Sequence, residues 1–435
     1  MRDYFLVAAI AAGLAAALAY PFAGLILWTW FTLANPHDEV YSFAQSLPLN
    51  LVIAVVTVAA WLLSRERKLP PQQFLIWAIA IFLVWITFNS FFAVDPAWSW
   101  PYWDRTWKTF ALGLLIAVLA TTPVRIHAVV WACVLSLFYY GVKGGLFTLI
   151  TGGVNHVIGP PNSQIGDNNA LALALLVTIP LADYLRRQSA NRWISLGIGA
   201  AMALTILSVV GSYSRGGLIG LGALALAGLW RTRRRMLYLA LVGSATIIIV
   251  SFMPDAYWHR ADTIQSAESD PSFHARTIAW QVSFDCAVDH FPFGSGFYST
   301  QLPTVYNHYF PNEEAHAAHS IFFQVLGEQG FIGLLIYLSI IWGAYANCAA
   351  IIKSGSRSPQ FEWAVTLARM IQVSLFVFCV GGAALSMAYY DLFIICVSLT
   401  IPLAQIVAPK RSRLADHAAA SPHPISYTQT MLTRS

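Results

Sequence analysis

Residues 74–92 read FLIWAIAIFLVWITFNSFF, a run without a charge and without polar alternation. At 1.5 Å per residue it makes a helix of about 28 Å, close to the thickness of a bilayer's hydrocarbon core. Lipid admits only helices or closed barrels, because every backbone group must be satisfied internally, and the run is too long for a strand. Further apolar runs fall at 5–33, 49–64, 107–121, 125–150, 168–185, 193–211, 216–230, 236–253, 320–344, 363–385 and 390–408. Together they predict an all-α polytopic membrane protein with about twelve transmembrane helices. Of the 435 residues, 57% are apolar and 10% charged, against about 25% charged in a soluble domain, which excludes a cytosolic globule. The first run carries Pro21 in its middle and reads as one kinked helix or two short ones. Ala17-Leu18-Ala19 has the form of a signal-peptidase site, but the apolar stretch continues past it, so a retained helix is expected.

Charge bounds the chemistry. A net charge of +5 spread over scattered basic residues gives no basic face for phosphates, so no nucleic acid partner is expected. The five cysteines, Cys133, Cys286, Cys348, Cys379 and Cys396, lie mostly inside apolar runs and form neither a disulfide framework nor a Cys-x-x-Cys site. Placing the amino terminus inside gathers Arg65, Arg67, Lys68, Arg125, Arg186, Arg187, Arg192, Arg231, Arg233–Arg235, Lys353, Arg357, Lys410, Arg411 and Arg413 on one side, as the positive-inside rule requires. Most carboxylates and histidines then fall outside. The expected division is helices 1–9 in 1–253, an outer cap in 254–318, helices 10–12 in 319–409 and a disordered inner tail in 410–435. Within the cap, Ser272 caps a helix to about 290, Pro292 to Gly296 breaks it, and Tyr306 to Phe310 is aromatic. Shorter outer loops are expected at 93–106 and 152–167.

Six basic residues break the pattern on the outer side: Arg105, Lys108, Lys143, Arg215, Arg260 and Arg276. Each needs a partner, since a cation near lipid is costly. Arg105 and Lys108, three apart at the head of a span, share a helix face beside Trp98, Trp100, Trp103 and Trp107. They read either as snorkelling interfacial cations or as anion ligands. Arg215 follows Ser212-Tyr213-Ser214 and precedes Gly216-Gly217, a hydroxyl-rich turn at a helix start. There a guanidinium fork and free amides suit phosphate oxygens, or pair with an outer carboxylate. Arg276 stands one turn before Trp280, on which it could simply stack. Glu313-Glu314-Ala315-His316-Ala317-Ala318-His319-Ser320 joins cap to membrane. His319 at a helix start is expected to stay neutral and able to accept a proton. His316 and His319 with Glu313 or Glu314 could instead ligate zinc, but His-Glu-x-x-His is absent and no third ligand is fixed by spacing. The reading adopted is a general base, with no metal and no cofactor. Glu328, deeper in the same span, reads as a hydrogen-bonding anchor.

These residues resemble the bacterial O-antigen ligase family, with the related oligosaccharide polymerases and the O-glycosylation ligases of exosortase systems. The resemblance rests on Ser214-Arg215-Gly216-Gly217, then Arg276 with Trp280 and Pro292-x-Gly294-x-Gly296, then His319-Ser320 and Glu328-Gln329-Gly330, in that order over about 205–345. It implies a GT-C-like glycosyltransferase of the bacterial inner membrane with a periplasmic cap and both termini cytoplasmic. Such an enzyme moves a glycan from undecaprenyl pyrophosphate to a sugar hydroxyl of the lipid A core in lipopolysaccharide biosynthesis. The resemblance assigns catalytic roles to His319, Arg215 and Arg276. Arg105, Lys108, Ser214, Trp280 and His316 are expected to bind substrate. Absence of a carboxylate set to form a glycosyl-enzyme predicts inversion. Three other readings remain: a protein O-glycosylation ligase or a polymerase using the same donor, a transporter of lipid-linked sugars, and a zinc-dependent intramembrane hydrolase.

Overall fold

The computed structural model describes residues 1–66, 70, 71, 73–231, 235, 236, 239, 243, 244 and 271–408. The expected span at 236–253 apart from those isolated positions, the first part of the cap at 254–270 with Arg260, the inner residues Arg67, Lys68, Arg233 and Arg234, and the tail 410–435 lie outside these residues. What is described is helical, with no strand among the described residues. The helices are α1 (Arg2–Ala19), α2 (Pro21–Ala34), α3 (Leu49–Leu63), α4 (Phe74–Phe91), α5 (Pro96–Leu119), α6 (Pro123–Thr151) and α7 (Asn168–Gln188). They continue as α8 (Arg192–Gly211), α9 (Arg215–Arg231), α10 (Pro271–Asp289), α11 (Pro303–Tyr309), α12 (Ile321–Gly355), α13 (Glu362–Gly382) and α14 (Asp391–Val407). Seven of these, α1, α4, α6, α7, α8, α12 and α13, are long and apolar enough to cross a membrane, while α2, α3, α9 and α14 are shorter apolar helices.

The starts follow local chemistry. Asp95 accepts from the amides of Ala97 and Trp98 at 2.9 and 3.4 Å, and Pro96 takes the first helical position, where a missing N–H costs nothing. Helix α5 therefore begins at Pro96, and the expected outer loop 93–106 is corrected: most of it is helix. Hydropathy hid this because Trp-Ser-Trp-Pro-Tyr-Trp-Asp-Arg is polar and aromatic, whereas the Asp-Pro cap was in plain view. Asp167 caps α7 in the same way, accepting from Asn169 N at 2.8 Å and Ala170 N at 3.0 Å. Helices α7 and α14 are buried on nearly every side, which places them at the bundle centre. Around α7, helices α6 and α8 approach closely because small residues face each other: a Cβ on Gly145 would strike the Leu204 carbonyl, and Gly141 lies on Thr205.

The first apolar run folds as two helices. Tyr20 is extended (φ −135°, ψ 97°) and Pro21 opens α2, which packs back along α1 with Gly13 on Leu27 and Gly24 on Ala17. Asp3 Oδ1 then accepts from Ser42 N and Ala44 N at 3.2 and 3.3 Å, and the ring of Tyr4 meets that of Phe43. At the other end of the bundle, Arg125 grips Glu66 through two bonds of 2.6 and 3.2 Å and donates to Leu119 O. Val407 packs there too, beside Gly355. Met1 lies at the end carrying the 36–46 turns and Ala408 at the opposite end, because the Pro21 break returns the chain to where it began.

Residues 271–320 form a small helical unit with its own apolar core of Ile278, Val282, Cys286, Leu302, Val305 and Tyr306. It is locked onto α12. Gly330 has φ 72° and ψ −176° within that helix, a conformation open essentially to glycine alone, and the break frees carbonyls that other segments satisfy. Ser295 N donates to Gly327 O and Gly296 N to Glu328 O, both at 3.0 Å. Asn89 Nδ2 also donates to Glu328 O (2.7 Å), and Trp85 Nε1 donates to Gln329 O (2.9 Å). A Cβ on Gly294 would run into the Glu328 carbonyl group, and one on Gly330 into the Phe293 carbonyl. The Pro-x-Gly-x-Gly and Glu-Gln-Gly elements are thus two halves of one clasp.

Candidate functional site

Three helix starts meet at one end of α13. Gly216, in the first turn of α9, lies against Leu385, and Ile321, the first residue of α12, lies against Gly382. The start of α7 joins them through Asn169, whose Oδ1 accepts from Ser214 Oγ at 2.7 Å. Ser214 also accepts from Gly217 N at 2.8 Å and is 1% exposed. Its hydroxyl is spent on capping α9 and fixing Arg215, the half-buried first residue of that helix; Ser214 faces the protein. Tyr213, at φ 56°, bonds through its hydroxyl to Gly153 O and so ties the turn to loop 152–167.

His319 does not sit in a helix. It precedes Ser320, the residue before α12, and holds φ 44°, so His316 and His319 share no helical face as the sequence suggested. Ala318 and Ser320 on either side are each 2% exposed. Trp280 Nε1 donates to Ala318 O at 2.7 Å, and the Trp280 ring stacks on Phe323 at 5.1 Å and 5°. The indole thus positions His319. Trp280→Phe keeps the stack and loses the bond. Expected are a stability loss of about 1 kcal/mol and a transfer rate lowered about tenfold, read by thermal unfolding and activity on one preparation.

The half-buried imidazole of His319 is held below the ordinary histidine range, first by burial, then by the Arg276 guanidinium and by His316; Asp167 pulls the other way. The sequence expected a neutral ring because of a helix start; the cause is burial with a neighbouring cation. His319, Arg276, His316 and Asp167 therefore lie within electrostatic reach of one another. His316 itself is exposed, and Glu313 pairs with His274 at 3.6 Å. Among the described residues, no three His, Cys, Asp or Glu side chains gather as a metal-ion site.

Arg105 and Lys108 lie farther along α5 than expected, and each has a partner. Lys108, 9% exposed, pairs with Asp104 at 2.5 Å. Arg105 is exposed and, with the Gln164 amide oxygen turned toward it, donates to that oxygen from Nε (2.7 Å) and Nη2 (2.8 Å). Loop 152–167 therefore serves both groups, Gln164 at Arg105 and Asp167 at His319. Lys143 has Glu39 as its partner at 3.1 Å. A cavity of about 800 Å³ between α1, α2 and α6, lined by Phe5, Leu6, Trp30, Glu39, Tyr139 and Lys143 among others, includes none of the candidate residues. Sequence reading missed Gln164, Asp167 and Asn169. The one signal available was the capping pattern Asp167-Asn168-Asn169.

Helix length, apolarity and the polar site at one end of the bundle define a multi-pass membrane protein. Residues 200–338 match the family described as O-antigen ligase, and residues 1–190 match a family of unknown function. The first match contains Ser214, Arg215, Arg276, Trp280, His316 and His319, so the similarity to the O-antigen ligase family covers the candidate site. No curated protein matches the chain.

Proposed function

We propose that the chain is a metal-independent, inverting glycosyltransferase of the bacterial inner membrane, moving a glycan from undecaprenyl pyrophosphate to a sugar hydroxyl of lipid A-core on the periplasmic face. The observation that carries this reading is a half-buried imidazole whose pKa is lowered by burial and by the Arg276 guanidinium inside the O-antigen ligase match. His319 takes the proton of the acceptor hydroxyl as that oxygen bonds to the anomeric carbon. The bond from that carbon to the pyrophosphate oxygen breaks, and its electron pair leaves with the diphosphate. Negative charge grows there, so cations whose contact strengthens during departure lower the barrier; Arg276 and Arg215 fill that role. Loop 152–167 orders the approach from the Arg105 side.

Purified protein in liposomes, given lipid-linked glycan and three competing acceptors, tests the assignment. Lipid A-core should be glycosylated in preference to a pilin-like protein or a second lipid-linked glycan, and a chelator should not slow it. Preference for the protein acceptor would make the chain an O-glycosylation ligase, preference for the glycan a polymerase, and passage of lipid-linked sugar without a new glycosidic bond a transporter. The anomeric configuration of the product is expected to be opposite to that of the donor; retention would require a covalent glycosyl-enzyme.

A further inference from the structure

Helix α5 carries Trp98, Tyr102, Arg105 and Thr109 at intervals of four, three and four, which places them on one face. The stripe is buried at its lower end, where Thr109 Oγ1 donates to Asp391 Oδ1 at 2.5 Å. It opens at its upper end, where Trp98 is 48% and Tyr102 36% exposed. Between the two rings stands Tyr298, stacked on Trp98 at 4.9 Å and 22° and on Tyr102 at 4.9 Å and 15°. Tyr298 comes from the clasp loop and holds φ 64°, an outlier for a bulky residue. The fold enforces that conformation: Glu328 Oε1 accepts from Tyr298 N at 3.1 Å, Tyr389 holds the other carboxylate oxygen at 2.8 Å, and Ser99 Oγ accepts from Phe297 N at 3.2 Å. A buried carboxylate is thus committed to presenting one aromatic ring.

An interfacial aromatic belt does not account for this. Trp100, Trp103 and Trp107 lie on a different side of α5, where they form a chain with Phe91, whereas the Trp98 stripe runs toward Asp391 and the Gln164 amide. We infer that the Trp98–Tyr298–Tyr102 stack, with Arg105 and Gln164 at its edge, is a pyranose-binding subsite. The apolar C–H face of a sugar ring lies on an exposed indole or phenol, and its hydroxyls meet the guanidinium and the amide. The inference rests on the glycan chemistry proposed above and names where a sugar ring is held. Glu328 is, on this account, a positioning residue acting through Tyr298.

The full chain in lipid nanodiscs is titrated, by saturation-transfer NMR, with a panel of free gluco-, galacto- and N-acetylglucosamine trisaccharides and with inorganic pyrophosphate. At least one trisaccharide should bind the unmodified protein. Its affinity should fall about tenfold in Trp98→Ala and in Tyr298→Gly, recover in Trp98→Phe, and stay unchanged in Trp100→Ala on the other side of α5, with pyrophosphate affinity unaltered by Trp98→Ala. Glycine adopts the φ of Tyr298 without strain, so that variant keeps the fold while deleting the middle ring. In transfer assays on the same preparations, a KM raised for the donor or for the acceptor in Trp98→Ala supports the subsite and says whose sugar it holds. Absence of any saccharide binding, or an affinity in both ring deletions that is unchanged from the unmodified protein, overturns it. Saccharide binding without transfer would leave the subsite standing and remove the enzymatic reading.

Discussion

Replacing His319 by alanine is expected to lower the rate of glycan transfer by about 10²- to 10⁴-fold, the contribution of a positioned general base, without disturbing the fold. The backbone allows a sharper version. At φ 44° a non-glycine residue carries about 1 kcal/mol of strain, so His319→Gly should unfold no more easily than the unmodified chain, or slightly less easily, and still be inactive. A histidine kept for packing would show the reverse. His316→Ala should retain substantial activity, since that ring is exposed. The pH profile adds a sign. Only the neutral ring accepts a proton, and burial with Arg276 holds its pKa below the usual histidine value, so activity should persist to more acidic pH than an ordinary histidine would permit. Asp167→Asn removes the one carboxylate that favours the charged ring and should move the acid limb lower still. Asparagine caps a helix about as well as aspartate, so α7 should be preserved. An acid limb that stays fixed in Asp167→Asn, or moves upward, would show that His319 is not the titrating base.

Gly294→Ala should be strongly destabilising. Its Cβ would collide with the Glu328 carbonyl group and Gln329 N, all backbone held by Asn89 and Gly296, so no flexible side-chain end can yield. The expected cost is about 3 kcal/mol, and Gly330→Ala adds about 1–3 kcal/mol for its positive φ. Both losses should appear as lowered thermal unfolding in detergent, accompanied by loss of transfer as the helical unit and the Ala318–His319 segment separate from the bundle. Ala93 bears on Gly296 in the same clasp, so a larger residue there should act similarly. Retained stability in Gly294→Ala would mean that the clasp closes differently.

The transmembrane helices were legible because hydropathy acts one segment at a time. Where polar aromatics formed helix, as in 96–106, the same measure failed although the Asp95-Pro96 cap was present. Pro21 allowed two readings since proline is accepted at the first position of a helix as readily as at a kink. At the site, Arg276, Trp280 and His319 could be named from their order. Trp280's bond to the Ala318 carbonyl, Asp167's reach to His319 and Tyr298's place between Trp98 and Tyr102 are made by residues far apart in the chain, and no local spacing announces them.

The return of α1 beside α2 fixes a parity. A reporter joined ahead of Met1 and another joined beyond Ala408 would emerge in different compartments, so alkaline phosphatase and a fluorescent protein fused at the two ends should give opposite signals. The hairpin tip at Tyr20–Pro21 lies beside Arg125, on the side where the basic residues gather, so the residues ahead of α1 are the ones that would have to cross the bilayer.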